Sequence, residues 1–145
     1  MQIADKVYGA YSKVFIQYEG SLQDLGLKIE KGLSIPKIRY ENMEDEPYDL
    51  VGYSEVLGFE VELRSIQDSE KWPDYQYFFG ATTTDSFQEV FNDRMLEISL
   101  WMARYISLSC EVTTMAENLD KQTAQSFYFN KTTSKRESKI IEARK

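Results

Sequence analysis

From residue 3 to residue 18 the apolar side chains Ile3, Val7, Tyr8, Tyr11, Val14, Phe15 and Tyr18 recur at steps of three and four. That spacing lines one face of a helix, so an amphipathic N-terminal helix is predicted. Glu19, Gly20 and Ser21 interrupt the pattern, and Leu22, Leu25, Ile29 and Leu33 resume it as a second helix, weakened by Gly26 at about 1 kcal/mol relative to alanine. Residues 34–36 close the helical region, because a residue preceding proline is pushed out of helical geometry.

Strand patterns follow. Residues 37–40 read as a short strand and 41–47 as a polar loop. Residues 50–53 and then 57–66 alternate, with Leu57, Phe59, Val61 and Leu63 on one side and Gly58, Glu60, Glu62 and Arg64 on the other, as in a half-buried strand. A turn over 67–74 leads to the aromatic and β-branched run 75–83, a second strand of the same hairpin or meander. Asp85 and Gln88 form a capping-box pair. The helix they open carries Phe87, Val90, Phe91, Met95, Ile98, Trp101, Met102, Tyr105 and Ile106 on one stripe, and core packing is the expectation for Trp101, Met102 and Tyr105. Residues 107–114 suit a closing strand, 122–129 a helix or an edge strand, and Ser134 with Glu137 a short last helix or a fraying tail. These elements define an α+β domain over 1–130, a small, mainly antiparallel sheet packed by N-terminal helices and one long central helix. A basic tail over 131–145 follows.

Composition narrows the chemistry. Among 145 residues there is no histidine and a single cysteine, Cys110. Ser-His-Asp and Cys-His catalysis, histidine-ligated metals, thiolate clusters and an internal disulfide are thereby excluded. No glycine-rich phosphate loop or calcium loop is present, so no cofactor and no metal are expected. With neither a secretory leader nor a long apolar run, a cytoplasmic location is the expectation. The net charge of −7 is uneven: residues 1–130 carry −11 and residues 131–145 carry +4. An acidic body repels phosphate backbones and anionic membranes, which argues against direct nucleic-acid or membrane partners.

The densest chemistry lies in residues 41–62, which hold Glu41, Glu44, Asp45, Glu46, Asp49, Glu55, Glu60 and Glu62 without one lysine or arginine. Such a run is ordinarily a solvated face that confers solubility. Uncompensated like charge is self-repulsive, and a basic partner would supply the missing half and accelerate encounter. Glu44, Asp45, Glu46, Asp49, Glu55, Glu60 and Glu62 are therefore the candidate partner-binding carboxylates. Trp72, beside Pro73 in a polar turn, and Tyr75 are the candidate aromatic anchors, with a loop lid over the core as the equally weighted alternative for Trp72. Glu60 and Glu62, two strand steps apart, also meet the spacing of a carboxylate pair, although alternating glutamates on a solvent face are ordinary.

The strings YDLVGYSEVLGFEVEL and DSFQEVFNDRMLEISLWMARYISLSCEV, within residues 35–112, resemble the small acidic immunity proteins of bacterial contact-dependent growth-inhibition systems. The resemblance lies in style, size and acidity and carries over no individual residue. It implies a non-catalytic cytoplasmic inhibitor, monomeric or weakly dimeric, that neutralises a cognate toxin domain, often a nuclease with a basic cleft. Two alternatives belong to other classes: a metal-dependent enzyme with ligands among Asp45, Asp49 and Glu55, and an acidic mimic of nucleic acid that regulates a DNA-binding protein.

Overall fold

The computed structural model describes residues 9–43, 50–66, 72–83, 95–118, 123–130 and 135–142. In chain order these form β1 (Gly9–Gln17), α1 (Leu22–Leu33), β2 (Arg39–Asn42), β3 (Leu50–Val56), β4 (Phe59–Ser65), β5 (Tyr77–Thr83), β6 (Met95–Glu97), α2 (Ser99–Cys110), β7 (Thr113–Asn118), β8 (Thr123–Asn130) and β9 (Lys135–Glu142). The strands make one sheet in the order β2-β3-β4-β5-β1-β7-β8-β9, each pair of neighbours antiparallel. β6 joins off this path, parallel to the first residues of β1. The expected α+β class and antiparallel sheet are present.

The expected N-terminal helix over residues 3–18 is absent from its described part, residues 3–8 lying outside the described residues. Residues 9–17 form β1, which pairs with β5 on one side and with β6 and β7 on the other. Val14 and Ile16 are fully buried against the helices, while Phe15 packs into a smaller cluster on the opposite face. A strand apolar on both faces loses its period-two signature, and its apolar residues then satisfy helical steps by coincidence.

The expected long central helix is also corrected. Residues 95–97 are a strand, and α2 begins only at Ser99, whose backbone N–H is accepted by Glu97 Oε1 at 2.7 Å. Residues 84–94, where the capping pair Asp85 and Gln88 lies, are outside the described residues. α2 runs on to Cys110, through the first part of the expected closing strand. The expected tail helix is replaced over residues 135–142 by β9, hydrogen-bonded along β8.

α1 matches its prediction. Ser21 caps it by accepting from the Asp24 N–H at 3.1 Å, and Ser34 ends it in the left-handed region at φ 54°. Leu22, Leu25 and Ile29 point into a core shared with Ala103, Ile106 and Cys110 of α2 and with Val14, Val61, Leu63, Phe79 and Phe127 of the sheet. Both helices thus cover one face of the sheet, and the larger of the two apolar clusters lies between these two layers. The chain leaving α1 is pinned by Glu30 Oε1, which accepts the Ile38 N–H at 2.6 Å, and by Ser54 Oγ, which donates to the Pro36 carbonyl at 3.0 Å.

Gly26 is explained by Tyr40, whose hydroxyl occupies the space that a Cβ would need. Gly26→Ala should therefore destabilise by about 1–3 kcal/mol despite its better helix propensity. In a Tyr40→Phe background the nearest obstacle is a ring carbon 3.3 Å away, and most of that loss should vanish. Denaturant unfolding of the four proteins measures the difference; an equal loss in both backgrounds would acquit the hydroxyl.

Candidate functional site

The sheet face turned away from the helices is divided. Over β1, β7 and β8 it is covered by the connection between β4 and β5, where Trp72 and Tyr75 pack with Met115, Ala124, Phe15 and Ile66. Trp72 and Tyr75, expected as exposed anchors, are only 5% and 7% accessible. Trp72 Nε1–H donates to Glu117 Oε1 at 2.8 Å, and the Tyr75 hydroxyl shares a 2.5 Å hydrogen bond with Ser126 Oγ. These partners satisfy the polar ends of both rings, so a polar turn can fold down as a lid. Burial pushes the Tyr75 phenol up to about 12, with the Ser126 hydrogen bond acting against it.

Over β2, β3 and β4 the same face is largely open, although Val51 of β3 is buried. Strand register lays three rows across it: Arg39, Tyr53, Glu62, Gly80 and Lys13; Glu41, Val51, Arg64, Phe78 and Phe15; and Glu55, Glu60, Thr82 and Tyr11. Of the predicted carboxylates, Glu55, Glu60 and Glu62 come together here, joined by Glu41. Glu44, Asp45, Glu46 and Asp49 lie outside the described residues. Arg39, Glu41, Tyr53, Glu55 and Glu60 line a shallow hollow of about 260 Å³. Tyr53 stands at its centre. Partial burial raises its phenol above the ordinary value, and the field of Glu62, Glu41 and Glu60 raises it further against Arg64.

The absence of counter-charge in residues 41–62 does not survive folding. Arg64, two residues beyond the run, bonds Glu62 at 3.4 Å and lies 4.9 Å over the Phe78 ring, and Arg39 and Lys13 flank the same row. The uncompensated part is smaller and sharper. Glu55 and Glu60 sit directly opposite each other, and among the described residues neither has an ion-pair partner. Directly opposed like charges are destabilising. Among the described residues no group of three or more Asp, Glu, Cys or His side chains is placed to hold a metal ion.

A second feature was missed by the sequence reading. α2 buries its small face, Ser99, Ala103, Ile106, Ser107 and Cys110, against the sheet and α1. The Ser107 hydroxyl donates to the Phe127 carbonyl at 3.2 Å, and Thr114 Oγ1 donates to the Ala103 carbonyl at 2.6 Å. So close an approach leaves the large residues outside. Trp101, expected in the core, is 60% exposed and stacks on the half-exposed Tyr105, ring centroids 5.5 Å apart and nearly parallel; Met102 is half-buried. With Leu57, Phe59, Val61 and Ile98 they line an apolar groove of about 330 Å³. The available signal was that apolar residues surround α2 almost completely, more than one packed face can bury.

The fold and these two surfaces define a class: a two-layer α+β protein, helices on one sheet face and a half-open carboxylate array on the other. No protein-family model matches the chain, and no curated protein matches it either. No helix among the described residues is long and apolar enough to cross a membrane.

Two predictions follow from these environments. A phenol or thiol held neutral by burial contributes stability that is complete below its unfolded pKa and is lost as pH rises toward its folded value. For Tyr75 the window is pH 10 to about 12, and for Cys110, raised by burial from 9 to about 12, it opens near pH 9. Unfolding free energy should fall above pH 9, and Tyr75→Phe should make that fall smaller, by roughly 2–3 kcal/mol in total between pH 9 and 12; an unchanged pH dependence would deny Tyr75 its buried neutral state. Separately, Glu60→Lys should raise the midpoint of thermal unfolding slightly, by replacing repulsion with attraction across from Glu55, and added salt should erase the gain.

Proposed function

We propose that this chain is an immunity protein, a non-catalytic inhibitor that binds a basic bacterial toxin domain, by preference a nuclease, through its open carboxylate face. The observation that carries this reading is the array of Glu41, Glu55, Glu60 and Glu62 around Tyr53. The charges sit on adjacent, hydrogen-bonded strands of a sheet whose other face carries both helices, so their spacing is set before any partner arrives. Preorganised charge loses little freedom on binding and steers a basic partner during encounter.

The Glu55–Glu60 juxtaposition supports the same reading. It weakens the free protein and becomes favourable once a lysine or arginine enters between the carboxylates. Tyr53 offers an aromatic contact at the centre of the charge, a residue type enriched where interfaces concentrate binding energy. In this reading the toxin is met in the cytoplasm, and occlusion of its basic cleft abolishes its activity without chemistry by the inhibitor.

The test has two steps: the neighbouring reading frame should encode a large exported protein with a variable C-terminal toxin domain, and that domain should associate with this chain. Wild-type protein should bind one to one and suppress the toxin's activity, with an association rate that falls as salt rises. Glu55→Lys with Glu60→Lys should slow association about tenfold or more at low ionic strength, the difference closing at high salt. An unchanged rate at low salt would remove the carboxylate-face mechanism.

A further inference from the structure

We propose that the outer edge of β9 pairs with β9 of a second copy of this chain, joining two sheets into one across a two-fold axis at Ser138. This edge lies at the far end of the sheet from the carboxylate face, and its pairing stands whatever that face binds.

The sheet path begins at β2 and ends at β9. β9 runs for eight residues, Lys135–Glu142, and each of them is paired with β8, from Asn130↔Lys135 to Thr123↔Glu142. Among the described residues no strand lies along its other side. In a strand so placed, alternate residues turn N–H and C=O groups outward, a template for one more antiparallel strand. The opposite edge, β2, is only four residues long and offers a much shorter ladder.

The sequence of β9 says which strand fits. Charged residues on an edge ordinarily keep other strands away, and KRESKIIE is charged at five of its eight positions. Whether those charges forbid pairing or select a partner depends on register. Two identical edges that meet antiparallel in one continuous sheet are related by a two-fold axis perpendicular to it. The axis then falls at a residue and not between two, because only residues of the same face stand opposite each other.

Placed at Ser138, the axis sets Glu137 opposite Lys139 of the second copy and, by symmetry, Lys139 opposite Glu137 of the second copy. Arg136 then stands opposite Ile140 and Lys135 opposite Ile141, so no like charges are opposed. Moving the axis one residue, to Glu137 or to Lys139, puts a charge directly against its own copy, which is destabilising. A foreign strand of one sign fares worse as well: a basic one opposes Lys139 with like charge and an acidic one opposes Glu137. The charges that keep other strands off are thus complementary to themselves in one register. The two copies, each of net charge −7, meet at the end of the sheet furthest from Glu41, Glu55, Glu60 and Glu62, and the joined pair keeps both carboxylate faces open, one at either end.

Sedimentation of the full chain, from micromolar to millimolar concentration, should show a monomer–dimer equilibrium. Glu137→Lys and Lys139→Glu should each weaken dimerisation about tenfold, since each opposes like charges twice across the axis. Mixing these two variants gives the sharpest reading. One carries lysine at both positions and the other glutamate at both, so the mixed pair regains two opposite-charge contacts and should form a one-to-one heterodimer at least as tight as the wild-type dimer. The double exchange, Glu137→Lys with Lys139→Glu, should restore self-association. Such rescue also separates lost pairing from failed folding. In amide hydrogen exchange, alternate amides of β9 should gain protection as concentration rises while β2 stays unchanged. A chain that remains monomeric throughout, single variants that dimerise as the wild type does, or a mixture that remains monomeric overturns the proposal. So does a dimer that Trp101→Ala dissolves and the charge variants leave intact.

Discussion

The structure depends on β1. It is the strand that both halves of the sheet share: β5 along one side, β6 and β7 in succession along the other. Its helix-side residues Ser12, Val14 and Ile16 are almost wholly buried, and Phe15 on the reverse packs edge-on to Phe78 at 5.8 Å. Between its two partners on the second side, the Lys13 N–H is taken by Ser99 Oγ at 2.8 Å, so the hydroxyl that opens α2 also satisfies the strand where the ladder changes hands. A central strand paired along both edges, its helix-side residues buried and Phe15 packed on the reverse, fixes the positions of α2, the Trp72 lid and the acidic strands.

That centrality is also why β1 was illegible. Period-two patterning marks a strand only when one face meets water, and β4 shows the contrast: Val61 and Leu63 are buried while Glu60 and Arg64 are exposed, and the sequence reads it correctly. α1 is legible for the same reason, since a two-layer fold leaves it one wet face. Met95–Glu97 fails differently. Three residues in parallel pairing with β1 are too few to impose a period of their own, and the flanking apolar positions absorb them into a helical stripe.

For the carboxylate face, one-dimensional charge counting placed three glutamates together and misjudged their electrostatics. Glu55, Glu60 and Glu62 do share a face, because alternation along a strand is local information. Their counter-charges are not local: Arg64 reaches Glu62 from its own strand, while Arg39 and Lys13 arrive through pairing that no sequence interval reveals. For Trp72 and Tyr75 the lid prevails over the exposed anchor through hydrogen bonding. Buried aromatics with polar ends need partners, and theirs, Glu117 and Ser126, lie 45 and 51 residues away.

α2 shows how packing geometry can create a surface. A helix can approach a sheet closely only through small side chains, and Ser99, Ala103 and Ser107 provide that on one side. The consequence is forced: with the small face inward, the aromatics at 101 and 105 turn outward, where hydrophobicity alone would not have placed them. Exchanging the faces would bury more aromatic area but lift the helix away from β1 and break the Ser107 and Thr114 hydrogen bonds that hold it to β8 and β7. The exposed aromatic wall is therefore built into the close packing of this fold.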